Sequence, residues 1–115
     1  MGADNVIVCY GVRYSLGLDG ELDDEALVPY ETLTDPRLVA ARRVGLNYYL
    51  GKVTDGGEYF LLVGGIIGTF GAQGSLEREV SDAELAETMR RTKAKLEEAG
   101  LEGTSALHVQ LEAQY

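Results

Sequence analysis

Along this chain, stretches in which apolar residues recur at every second position alternate with stretches in which they recur every three or four. Residues 6–14 are rich in β-branched and aromatic side chains, with Val6, Val8, Tyr10, Val12 and Tyr14 on one parity and Cys9, Gly11 and Arg13 on the other. That spacing predicts a strand, and its apolar start on both faces predicts an interior one. Residues 46–53 and 58–67 read as two more strands, joined by Asp55-Gly56-Gly57, where Asp-Gly supplies the positive φ angles of a tight hairpin turn. Residues 59–67 are apolar on both faces, as a central strand would be. Near the end, Leu107, Val109 and Leu111 alternate with His108, Gln110 and Glu112, which predicts a strand with one buried and one polar face.

The longer period marks two helices. Ser81-Asp82-Ala83-Glu84 is a capping box, and Leu85, Met89, Thr92, Leu96 and Ala99 then recur as one helix face. Acids come early (Asp82, Glu84, Glu87), bases later (Arg90, Arg91, Lys93, Lys95), and Gly100 ends the run, so a helix is predicted over 82–99 with an ordinary solvated polar face. Thr34-Asp35-Pro36 is a second start signal, predicting a short helix over 36–44 that Gly45 closes in a left-handed conformation. A strand competes there, because Leu38, Ala40, Val44 and Leu46 share parity. Residues from about 17 to 33, with Asp19, Glu21, Asp23, Asp24 and Glu25, read as a flexible acidic loop with room for a helical turn near 24–28.

The predicted order is β-α-β-β-α-β, a single α+β domain spanning 1–115 with the ferredoxin-like arrangement: an antiparallel sheet with both helices on one face. Val8, Tyr10, Val12, Val109 and Leu111 are then expected to meet Leu85, Met89 and Leu96 between the layers. If 36–44 is strand, the alternative is an antiparallel meander packed on one long helix.

Composition narrows the function classes. A chain of 115 residues, 45% hydrophobic and 25% charged, is ordinary for one globular domain. Nineteen acids against ten bases give a net charge of −9, which repels phosphate backbones, argues against nucleic-acid binding and suits a basic partner. The N-terminus has no basic, apolar leader pattern, and the longest apolar run is broken by glycines and too short for a bilayer. No membrane association and a cytoplasmic location are therefore expected. With one Cys and one His the chain makes no intramolecular disulfide and no four-ligand zinc site of those residues, and no cofactor or metal is expected.

Few residues carry chemistry. Cys9 and His108 fall on neighbouring strands in the predicted sheet, on the face away from the helices. A thiolate next to an imidazole is a nucleophile, and Arg13 on the same parity would lower the thiol pKa or hold an anion. The simpler reading makes Cys9 a buried filler and His108 a polar surface residue, since no third group orients the pair. Asp19, Glu21 and Asp23 fail as a calcium loop, because Asp24 and Tyr30 stand where glycine and glutamate are needed. The glycines of 64–74 include neither GxGxxG nor Gly-Lys-Ser/Thr, and they run out before the helix cap at Ser81. Arg37, Arg42 and Arg43, near Tyr48 and Tyr49, form a small anion or peptide site or neutralise nearby acids.

No residue is assigned as catalytic. Binding candidates are Cys9, Arg13, Asn47, Tyr49, His108 and Gln110, with Glu112, on the sheet face opposite the helices. That face also carries Ile7, Phe60, Leu62 and Ile66, a mixture that favours a protein partner or self-association. The expectation is a non-enzymatic binding or regulatory module, a homodimer joined by this face or by strand 59–67. The alternatives are a small enzyme or ligand-binding domain around Arg13, Cys9 and His108, and an acidic inhibitor or immunity-type protein for a basic target.

Overall fold

The computed structural model describes residues 5–17, 24–52, 58–71 and 74–112; the predicted turn at Asp55-Gly56-Gly57 and the acids Asp19, Glu21 and Asp23 lie outside them. In chain order its elements are β1 (Asn5–Ser15), α1 (Asp24–Glu31), α2 (Pro36–Arg43), β2 (Asn47–Lys52), β3 (Tyr59–Gly71), α3 (Asp82–Ala99) and β4 (Ala106–Glu112). The strands form one sheet in the order β2-β3-β1-β4, every neighbouring pair antiparallel. The chain is thus a single α+β domain built on a four-stranded antiparallel sheet.

The helix ends follow from their capping chemistry. Ser81 Oγ accepts from the Glu84 N–H at 3.2 Å at the start of α3, and Gly100 at φ 71° closes it, with its N–H on the Glu97 carbonyl and that of Leu101 on Leu96. Asp35 accepts from the Arg37 N–H at 2.9 Å ahead of Pro36, and Gly45 leaves α2 at φ 80°. Residues 36–43 are therefore helix, which removes the meander alternative.

Of the predicted loop over 17–33, residues 18–23 lie outside the described residues, and the rest is not simply loop. Residues 24–31 form α1, held down by buried Leu27 and by Tyr30, whose hydroxyl accepts from Arg37 Nη2 at 2.9 Å. Sequence reading allowed only a turn here, because Pro29 interrupts the helical pattern.

One face of the sheet carries the main core: Val12, Leu61 and Val63 pack with Leu38 and Ala41 of α2, Leu96 of α3 and Leu46. The cover from α2 and α3 lies over β2, β3 and β1. A register shift between Val8 and Cys9, where Val8 faces Gly68 and Cys9 faces Ile66, leaves Ile67 as an extra residue in β3. Among the described residues, no helix is long and apolar enough to cross a membrane.

Candidate functional site

The sheet face away from α2 and α3 holds most of the residues expected there, but it is not an open binding surface. Ile7, Cys9, Phe60 and Leu62 are all buried and form a second small core, with Tyr49 packed against it. The Tyr49 and Phe60 rings lie 6.0 Å apart, and the Arg13 guanidinium sits 4.8 Å above the Phe60 ring. Arg13 also donates from Nη1 to Ser15 Oγ at 2.8 Å. Arg13 and Tyr49 thus act as covers for an apolar patch, their long side chains lying over Phe60.

Cys9 and His108 stand opposite one another in the β1–β4 ladder. The geometry does not make them a nucleophile and its base. Cys9 is 1% exposed, and burial pushes its thiol up to about 11, away from the thiolate that the reading with Arg13 required. His108 Nε2 lies 3.1 Å from the Gly11 carbonyl, a bond in which the ring nitrogen donates. Gln110 donates from Nε2 to the Leu111 carbonyl at 3.3 Å, and Glu112 ends β4 opposite Asn5.

Asn47 belongs elsewhere. It lines a cleft between α3 and the β2–β3 strands, together with Gly64, Gly65, Thr88, Arg91, Thr92 and Lys95. Sequence reading assigned Arg91 and Lys95 to a solvated helix face and Thr92 to the apolar stripe. The available signal was the spacing of Thr88, Arg91, Thr92 and Lys95, which puts them on one stripe of α3. The glycines opposite them are set by sheet register, which that spacing does not reveal.

The largest departure is at β4. Leu107, Val109 and Leu111 stand opposite Tyr10, Val8 and Val6 and so share the helix-side face with them. They were expected to be buried against α3, yet they are 51%, 67% and 49% exposed. The reason is lateral: the helices cover β2, β3 and β1, and the edge strand lies beyond them. Conversely, the strand expected to offer an apolar contact, 59–67, is interior, with Phe60, Leu61, Leu62 and Val63 buried within the chain.

Comparison with protein-family models, with curated proteins and with solved structures finds no match for this chain.

Proposed function

We propose that the chain is a non-enzymatic binding module of ferredoxin-like architecture that works as a homodimer joined along β4. The architectural part is supported by the strand order β2-β3-β1-β4, with α1 and α2 between β1 and β2 and α3 between β3 and β4. The functional part is carried by one observation: β4 is a sheet edge whose three apolar side chains remain about half exposed or more. An unprotected, apolar edge strand is a template for pairing with another chain.

A second copy fits this edge better than a charged partner does. Residues 106–111 contain no Lys, Arg, Asp or Glu, so two chains of net charge −9 meet there without juxtaposing like charges. Antiparallel pairing about a two-fold axis at Val109 sets Val109 against itself and Leu107 against Leu111 of the other copy. The contact is isologous and closes after two chains. On the opposite face the same register brings His108 beside Gln110, so both retain a place in the interface. Cys9, Arg13 and Tyr49 then serve the fold of each copy.

Amide hydrogen exchange along β4 tests this register. The amides that point away from β1 are expected to gain protection as concentration rises, while those already paired with β1 change little. Equal exchange at low and high concentration would contradict it.

A further inference from the structure

We propose a second site, independent of the β4 edge: the cleft between α3 and the β2–β3 strands binds a small oxyanion of the phosphate type. Its lining is unusual for this molecule. Nineteen of the 115 residues are acidic, yet the described residues around the cleft include Arg91 and Lys95 and no acid. The other polar side chains there are Thr88, Thr92 and Asn47. A guanidinium fork, an ammonium and hydroxyl donors converging on one space are the groups that recognise a compact polyoxygen anion.

The cleft is built by the fold. Thr88, Arg91, Thr92 and Lys95 share one stripe of α3 and face Gly64 and Gly65 of β3. Gly65 opens the space: a Cβ there would lie 2.9 Å from Thr92 Oγ1 and 3.3 Å from Thr88 Cγ2. Thr92 is only 4% exposed, the one buried polar residue among those described, and it stands on this wall. Its hydroxyl stands opposite Gly65, where it is placed to donate to an anion in the cleft. Arg91 retains donors for it. Its contact with Glu87 is long at 3.7 Å, and that carboxylate is already held by Arg90, whose Nε donates at 3.0 Å. Lys95 Nζ lies beside Gly45, where a Cβ would be 3.6 Å from it, so the ammonium sits at the cleft rather than extended into solvent. The volume, about 150 Å³, suits one small anion and is below the ~300–1,000 Å³ of clefts that take larger ligands.

The test is titration of the whole chain with inorganic phosphate and, separately, a phosphate monoester such as glycerol phosphate. Ionic strength is held constant with chloride, and binding is followed by calorimetry and by backbone amide shifts. Saturable binding is expected, with shifts centred on Gly65, Thr88 and Thr92. Lys95→Gln and Arg91→Gln are each expected to weaken it about ten- to a hundredfold, the loss of one charge-assisted contact. Thr92→Val, which keeps the shape, removes a smaller share, and Gly65→Ala closes the space. If Gly65→Ala fails to fold, the other three variants decide. Tighter binding of the monoester would identify the ligand as the phosphate end of a larger molecule; tighter binding of inorganic phosphate would identify the free ion. Val109→Asp is expected to bind as the parent does, which separates this site from the β4 contact. Absence of saturable binding of either probe, or affinity unchanged in Lys95→Gln and Arg91→Gln, would overturn the proposal.

Discussion

At the scale of single residues, Cys9 shows how strand neighbours decide chemistry that composition leaves open. Its place among Ile7, Phe60 and Leu62 excludes water and raises the thiol to about 11 from the ordinary 9.0. The native protein is therefore expected to react with a thiol reagent at pH 8 far more slowly than the urea-unfolded chain. Comparable rates in the two states would contradict this burial. The sign of the pH dependence follows. The unfolded thiol ionises first as pH rises through 9, so the unfolded state binds fewer protons and stability falls between pH 9 and about 11. Cys9→Ala is expected to remove that part of the alkaline slope. The placement of Cys9 and His108 on one face of neighbouring strands was legible from strand parity and strand order. Their direct opposition in the ladder was not, because register depends on the pairing of the whole strands. Nor was the burial of Cys9, since alternation along β1 does not show that Ile7, Phe60 and Leu62 close around it on the far face.

At the scale of elements, signals held within a few residues were readable and lateral placement was not. The capping box at Ser81 and the glycine at 100 bound α3 at the predicted residues, because caps act through their own backbone neighbours. Ser81→Ala is expected to destabilise the fold by about 1 kcal/mol in urea unfolding with an unchanged slope. No loss would mean that the cap contributes nothing. The second helix also follows its cap, from Asp35 through Gly45. By contrast, α1 forms in a segment that reads as loop, since its anchoring comes from outside the segment: Tyr30 packs against the main core and bonds Arg37. The exposure of β4 was hidden for a related reason. Alternation shows which side chains share a face, but only the lateral position of the helices decides whether that face is covered.

At the scale of the whole molecule, the four-stranded sheet is wider than its helical cover, and β4 is the strand left over. That imbalance leaves an acidic chain an apolar edge that is uncharged over residues 106–111, which the proposed pairing with a second copy would bury. The cleft proposed to bind an oxyanion lies between α3 and the β2–β3 strands, so a dimer formed this way would carry two such clefts away from its joint. Sedimentation equilibrium of the parent chain and the Val109→Asp variant, run side by side, tests the central claim most directly. The account predicts a concentration-dependent dimer for the parent and a monomer for a variant with an unchanged circular dichroism spectrum. A parent that stays monomeric up to millimolar concentration, or a folded variant that dimerises as the parent does, would contradict it.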